Sequence, residues 1–183
     1  MMMPPLLRNL ALIIHVAASV GWMGAVTMFL VLGIVGLTTP DPLRVQAVYL
    51  AMEISTSVVI VPLCLASLVT GIIQSLGTTW GLVRHYWVVI KLIITVLATI
   101  ILFIHTQPIA DVARAAATAP LANGDLRAVR IQITVDAGAA LLALLVTTAL
   151  SIIKPRGVTP YGFRRLQAQR QQAATADRVS RSD

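Results

Sequence analysis

The sequence predicts an all-α protein, a transmembrane four-helix bundle with both termini in the cytoplasm. Of its 183 residues, 57% are hydrophobic and 11% are charged. Soluble domains carry about 25% charged residues, so this chain lacks the polar groups that a water-exposed surface requires. It is also too hydrophobic to be disordered. Its apolar residues form long runs without sustained alternation, which favours spanning helices over strands.

Four apolar stretches approach or exceed the roughly 20 residues that a helix needs to cross a bilayer. The first is more than twice as long as the roughly 7–15-residue core of a signal peptide, so we expect a retained helix. Residues 1–155 form the predicted membrane domain, and residues 156–183 form a basic, polar and flexible cytoplasmic tail. The predicted helices cover about residues 6–37, 46–76, 87–104 and 131–153.

The connections between these helices carry residues that typically begin or end a helix. The Pro4–Pro5 pair suits the first turn of the first helix, where a missing N–H costs nothing, and Pro42 interrupts the chain before the second. Asp125 follows an Asn-Gly turn and is placed to cap the fourth helix. Residues 106–129 form the longest predicted loop, whose Ala-rich stretch at 109–117 predicts a short interfacial helix.

Basic residues are more frequent on the side that holds both termini. That side has Arg8, Arg84 and the basic residues of the tail. Because positive residues favour the cytoplasmic side, both termini are predicted to be cytoplasmic. We therefore interpret the net charge of +7 as a determinant of membrane topology. We expect the lipid bilayer, another copy or another membrane protein as partners, and no nucleic acid. The opposite side holds Arg44, Arg114, Arg127 and Arg130.

Each predicted helix carries a face of small or polar residues at helical spacing. On the second helix, the spacing places Glu53, Ser57 and Ser67 on one face, and Pro62 predicts a kink. Such faces either pack membrane helices closely, as glycines do, or line a site. On the first helix the face holds His15 and Trp22, and Gly21, Gly24, Gly33 and Gly36 lie elsewhere on that helix. On the second helix it holds Glu53, Ser57, Ile60, Cys64, Ser67, Gly71 and Gln74. The third helix contributes Trp87, Lys91, Thr95 and His105, and the fourth contributes Asp136, Thr147 and Ser151.

Ionisable residues within the apolar stretches are the candidate functional residues, because a charge in a bilayer is costly. Glu53, His105 and Asp136 lie in the outer half. They either pair with Arg44, Arg127 or Arg130 at the headgroups, or form a proton or metal site of two carboxylates and a histidine.

His15 and Lys91 lie in the cytoplasmic half, roughly 9–10 Å inside the boundary at about 1.5 Å per residue. His15 shares a helix face with Trp22. A histidine inside a four-helix bundle can ligate haem iron, and a nearby lysine can neutralise the haem propionates. The alternative is a histidine that is hydrogen-bonded to Gln74 or Ser75 on a neighbouring helix.

The segment His15–Gly24, His-Val-Ala-Ala-Ser-Val-Gly-Trp-Met-Gly, resembles the first helix of HemJ-type and CopD-type bacterial membrane proteins. Trp87–Leu92 resembles the third-helix pattern of the HemJ type. The resemblance implies a four-helix protein of the bacterial cytoplasmic membrane. The HemJ family is associated with protoporphyrinogen oxidation and haem b, and the CopD type with copper handling. The resemblance places the key histidine and lysine of the HemJ type on His15 and Lys91.

Two departures limit what the resemblance implies. The chain lacks the Pro-Arg pair expected after the first helix and a Met-rich or His-rich copper cluster outside the membrane. We therefore extend the resemblance to the fold and a haem site, not to enzyme activity. Three functions stay open at this point: a haem b-binding bundle with a redox or porphyrin-related role, a non-enzymatic accessory subunit of a membrane complex, and a proton- or ion-coupled transport component.

Overall fold

The described part of the chain is an all-helical bundle. The computed structural model describes residues 4–77, 85–118 and 126–153, with residues 157, 159, 160, 163, 164, 167 and 171. Within them, four helices are long and apolar enough to cross a membrane. The elements are α1 (Pro5–Thr38), α2 (Pro42–Ser55), a π-helical turn (Thr56–Ile60), α3 (Val61–Gly77), α4 (Tyr86–Thr118) and α5 (Arg127–Ile153).

The bounds of α1 agree with the predicted helix at residues 6–37, whereas the second span begins at Pro42, four residues before the predicted start at residue 46. Pro4 is the N-cap of α1, and the helix begins at Pro5. After a short break, the Asp41 carboxylate accepts a hydrogen bond of 3.1 Å from the Leu43 N–H and caps α2. This cap satisfies one of the N–H groups that a helix start leaves without an internal partner. The predicted cap at Asp125 and most of the predicted tail lie outside the described residues.

The third spanning helix is longer than predicted. The sequence prediction ended it at residue 104, whereas α4 continues to Thr118. The predictions of a loop over residues 106–118 and of a separate interfacial helix at 109–117 are therefore wrong. Pro108 lies inside α4 without ending it, because the residues beyond it form a buried apolar face at the i, i+3, i+4, i+7 spacing of a packed helix. These residues are Ile109, Val112, Ala113 and Ala116.

The helices are arranged as a ring of neighbours. α1 packs against α2, α3 and α5, and α4 packs against α2, α3 and α5. Consecutive spans are therefore adjacent in space, and the last span closes the ring against the first. This is the up-and-down arrangement that short connections favour.

The π turn changes which face of the second span points inward. In a continuous α-helix, Glu53 and Ser57 would share the face of Cys64. The π turn accommodates one extra residue, so Met52 and Thr56 are buried in their place while Ser57 is exposed. The predicted single face that joins Glu53 and Ser57 to Cys64 is therefore not formed: Ser57 is exposed and Glu53 is only partly buried.

The proline after the π turn explains its position. Pro62 has no N–H and cannot donate to the carbonyl one turn earlier. The Val61 N–H instead reaches the Thr56 carbonyl, five residues back, in the π pattern. The distortion predicted at Pro62 thus takes the form of a wider turn on its N-terminal side.

The best-packed part of the bundle lies away from the N-terminal end. All the helices contribute to this core, in which Tyr49, Met52 and Val112 are among the largest fully buried side chains. Phe29 of α1 and Ile133 of α5 join the same cluster.

Arg130 lies inside this core, where the sequence prediction had placed it at the headgroups. Its side chain is 6% exposed. Its Nε–H donates to the Tyr49 hydroxyl at 2.9 Å, an Nη2–H donates to the Gly36 carbonyl, and its guanidinium lies 5.1 Å from the Tyr49 ring centroid. Hydrogen bonds from a charged group contribute about 1.5–3 kcal/mol. Arg130 thus ties α1, α2 and α5 together at this end of the bundle.

The outward surface of the four helices is apolar. Ile13, Val58 and Leu142 are each at least 65% exposed, although a soluble bundle would place charged residues at such positions. Further exposed apolar side chains occur on every span: Val20, Met28, Val31, Ile54, Val69, Ile93, Leu97, Ile100, Val135 and Leu145.

Gly36 and Gly24 provide a matched test of this packing. A Cβ at Gly36 would lie 2.9 Å from Tyr49 Cζ, whereas a Cβ at Gly24 would meet nothing within 4 Å. Because the Tyr49 ring is held by Arg130, we expect Gly36→Ala to lower the free energy of unfolding by roughly 1–3 kcal/mol. Gly24→Ala should leave it unchanged or raise it slightly. Thermal unfolding of both variants in detergent measures the difference, and equal melting temperatures would contradict the packing.

Candidate functional site

A cavity of about 1060 Å³ opens between α1, α3, α4 and α5 at the end of the bundle that holds the N-terminus. Small-molecule sites typically measure about 300–1,000 Å³, so this space is large enough for a sizeable cofactor. Pro4 and Arg8 lie at its N-terminal end, and Trp22 lines its deepest part. Trp22 is 3% exposed and belongs to the core cluster, so it forms the floor of the cavity.

The small and polar faces predicted for the helices converge on this cavity. Its walls combine hydroxyl, amide and glycine positions with apolar side chains such as Leu12, Leu68 and Leu92. Bulkier residues on these faces would let the helices fill the space with side chains. The predicted face residues that line the cavity are His15, Trp22, Ser67, Gly71, Gln74, Trp87, Lys91, Thr95, Thr147 and Ser151.

His15 is held by the backbone of α3. Its Nδ1 lies 3.0 Å from the Ser67 carbonyl oxygen and 3.1 Å from Thr70 Oγ1. The Thr70 hydroxyl donates its own hydrogen to the Ala66 carbonyl. Since a carbonyl only accepts hydrogen bonds, Nδ1 must carry the hydrogen. The alternative partners expected for His15, Gln74 and Ser75, do not bind it.

This hydrogen bond leaves the other nitrogen of His15 available. Nε2 forms no hydrogen bond with the described residues, and the ring lines the cavity. The ring also lies against the backbone at Gly71, where a Cβ would be 3.1 Å from His15 Cε1. A histidine in this state presents a fixed lone pair, which is the form in which imidazole binds metal ions.

Lys91 reaches across the cavity wall from α4 to α5. Its ammonium donates to Ser151 Oγ at 2.5 Å, and Ser151 in turn donates to the Thr147 carbonyl at 2.8 Å. The Lys91 Nζ lies 6.0 Å from the Trp87 ring centroid, within the range of a cation–π contact. An ammonium has three donors, and among the described residues Lys91 uses one of them, on Ser151.

The charge of the cavity is positive. Arg8 and Lys91 line it, and none of its described lining residues is Asp or Glu. Gln74 also lines the cavity, and its buried Nε2 has no hydrogen-bond partner among the described residues. Burying a polar group without a partner is unfavourable. The cavity thus offers two cations and an unsatisfied amide to a ligand that supplies acceptor oxygens.

The other predicted candidates lie at the opposite end. His105 of α4 and Asp136 of α5 come together, with 2.8 Å between Nε2 and Oδ2, and Gln132 lies beside them. Glu53 does not join them. No group of three His, Cys, Asp or Glu residues in the described chain is arranged to hold a metal ion. The predicted metal site of Glu53, His105 and Asp136 is therefore not formed.

The expected pairing of these acids with arginines is also absent from the described residues. Arg44 instead lies 3.4 Å from the Asp41 carboxylate, and Arg130 binds Tyr49 and Gly36. The sequence prediction missed the buried Arg130–Tyr49 interaction, because an arginine next to a predicted loop resembles a headgroup contact. The spacing of Arg130, Ile133 and Ala137, all buried on one face of α5, is the pattern that indicates it.

Comparisons with protein-family models, curated proteins and solved structures found no match to this chain.

The protonated nitrogen of His15 can be observed directly. In protein labelled with ¹⁵N at histidine, the neutral His15 ring should carry its hydrogen on Nδ1, because the Ser67 carbonyl accepts it. A His15→Asn variant assigns the signals. Thr70→Val should preserve the same tautomer, since the Ser67 carbonyl remains in place. A hydrogen found on Nε2 would contradict the orientation described above.

Proposed function

We propose that the chain is a multi-pass protein of the bacterial cytoplasmic membrane, with both termini in the cytoplasm. The apolar outward surface supports membrane insertion, since large exposed apolar surfaces are rare in soluble proteins. The basic residues at the termini support the orientation. On the other side, Arg130 is buried, so it no longer counts among the exposed charges there. The bacterial location rests on the resemblance of His15–Gly24 and Trp87–Leu92 to the HemJ type.

Within this membrane protein, we propose that the cavity binds an amphipathic anion. The walls are largely apolar, which suits a hydrophobic ligand body. Lys91 and Arg8 have no described acidic neighbour in the cavity, so a ligand carboxylate would supply the missing counter-charge. Lys91 lies deeper than Arg8, near Trp87 and Ser151. A ligand with its anionic groups directed toward the N-terminal end would meet both cations.

Haem b is the ligand that these residues fit best. The observation that carries this proposal is the hydrogen bond from His15 Nδ1–H to the Ser67 carbonyl, in a ring that lines the cavity and whose Nε2 has no hydrogen bond with the described residues. Histidines that ligate metals commonly donate their second N–H to a carbonyl, which fixes the tautomer and raises the basicity of the ligating nitrogen. His15 would hold the iron, and Lys91 and Arg8 would bind the propionates. Gly71 leaves room for the imidazole ring beside α3.

When bound, haem supplies one-electron redox chemistry at its iron. The chain's own contribution is to hold and shield it. Trp22 and the neighbouring core close the deep end of the cavity against water. Because α3 carries the Ser67 carbonyl and α1 carries His15, the orientation of the ligating nitrogen depends on the contact between these two helices. The proposed role is electron transfer, redox sensing or porphyrin handling.

The visible spectrum of the purified protein tests haem binding. We expect a Soret band in protein isolated in detergent or supplemented with haem, and its loss in His15→Ala, because the iron ligand is removed. His105→Ala is the matched control, since this histidine lies at the far end of the bundle and the band should persist. A folded wild-type protein without a Soret band after supplementation would overturn the proposal and favour a non-enzymatic accessory subunit.

Lys91 should contribute to haem affinity through its charge. Lys91→Met removes a charged donor of about 1.5–3 kcal/mol, so the haem dissociation constant should rise by about 10- to 100-fold. Lys91→Arg keeps the charge and should keep most of the affinity. Haem titration of both variants measures the change. Equal affinities for wild type and Lys91→Met would show that the propionates bind elsewhere.

A further inference from the structure

The cavity also opens sideways, between α1 and α5. Leu12, Val16 and Val20 of α1 line the cavity and are 48%, 50% and 58% exposed. Thr148 of α5 lines it and is exposed as well. The described lining residues of α3 and α4, in contrast, are all buried or half-buried. The exposed part of the wall therefore lies along α1 and α5, and we call it the α1–α5 opening.

Packing explains why these two helices separate at this end. In the far half of the bundle they are in close contact, since a Cβ at Gly33 of α1 would lie 2.7 Å from Thr134 Oγ1 of α5. Toward the cavity, Val16 and Thr148 are exposed instead of packed. The two helices are the first and the last of the described spans, so no short connection holds them together here.

The α1–α5 opening extends along the membrane-spanning part of α1. Arg8 and Asn9 lie at its N-terminal end, and Val20 lies twelve residues beyond Arg8. At about 1.5 Å per residue, this length is roughly 18 Å. One leaflet contributes about 15 Å to the hydrocarbon core of a bilayer. In the proposed orientation, the opening therefore faces the acyl chains of the cytoplasmic leaflet.

The polarity of the cavity runs in the same direction as that of this leaflet. Arg8 lies at the N-terminal end, whereas the buried side chains of Trp22 and Leu144 form apolar wall deeper in the bundle. Neither Arg8 nor Lys91 has an acidic neighbour among the described lining residues. An anionic amphiphile in the leaflet likewise holds its carboxylate at the headgroups and its apolar body toward the bilayer centre. It can therefore move sideways into the cavity without turning over and without exposing its apolar body to water.

We propose that anionic amphiphiles enter the cavity from the cytoplasmic leaflet through the α1–α5 opening. This inference rests on the proposed function, both for the membrane location and for the amphipathic ligand. It defines the ligand class as carboxylates that dissolve in the bilayer, such as a porphyrin or a fatty acid, rather than water-soluble anions. The two cations supply the counter-charge, and the separation of α1 from α5 supplies the route.

Photolabelling from the bilayer tests this route. The full-length protein is reconstituted in phosphatidylcholine vesicles with stearic acid that carries a diazirine in mid-chain, and labelled residues are identified by mass spectrometry. We expect label on the outward residues Val58 and Leu142, which are 67% and 65% exposed, and on Trp22 and Leu144. Because these last two are buried from the outside and line the cavity, excess unlabelled stearate should remove only their label.

Substitutions on the two sides of the opening separate this route from entry at the N-terminal end. Val16→Phe and Thr148→Phe narrow the opening from opposite sides, so one folded variant is sufficient, and either should lose the label at Trp22 and Leu144. Ile13→Phe is the matched control, because Ile13 is exposed on α1 but does not line the cavity, and it should retain the label.

The outcomes distinguish the route from the proposals on which it rests. Outward label at Val58 without label at Trp22 and Leu144 would overturn the route and leave the membrane location in place. Cavity label that persists in folded Val16→Phe and Thr148→Phe would also overturn it. Cavity label in a protein without a Soret band would support the route for an amphiphile other than haem, whereas a Soret band without cavity label would count against the route alone.

Discussion

The π turn at Thr56–Ile60 determines which residues of the second span face the bundle, and the cavity depends on this register. With one extra residue accommodated, Met52 before the turn, Thr56 at its start, and Cys64 and Ser67 after it are all buried. The Ser67 carbonyl and the Gly71 backbone then meet His15 from α1. In a regular helix, the same α3 face would be continued upward by Glu53, and a carboxylate would take the place of Met52 in the apolar core.

The two ends of the bundle have different physical characters. The end with Arg130 is closed, since its guanidinium is covered by Tyr49 and hydrogen-bonded to the α1 backbone. The end with Lys91 is open, and the Lys91 ammonium, which donates to Ser151, lines a large space. Arg130 is buried, whereas Lys91 is partly exposed and lines the cavity. Packing therefore leaves a large space in one half of the molecule and fills the other half with side chains.

Much of this architecture was predictable from residue patterns. The four apolar stretches predicted the spans. Small or polar residues at helical spacing predicted the faces on which Ser67, Lys91 and Ser151 line the cavity. The Ala-rich stretch was predicted as a short separate helix, and its continuity with α4 was missed because the buried face beyond Pro108 depends on contacts with other helices. The π turn leaves no mark on apolar periodicity. The partner of His15 is a main-chain carbonyl, and side-chain patterns carry no information about such partners.

The close approach of His15 to Gly71 links two positions that are far apart in the sequence. A Cβ at position 71 would press on the imidazole, at 3.1 Å from Cε1, and would compete with the contact between the ring and the Ser67 carbonyl. Substitution at this position thus acts on the chemistry of the histidine without touching the histidine itself. In related chains, a histidine matching position 15 together with a glycine matching position 71 would mark retention of the site. A larger residue at the second position would mark its loss, even where the histidine persists.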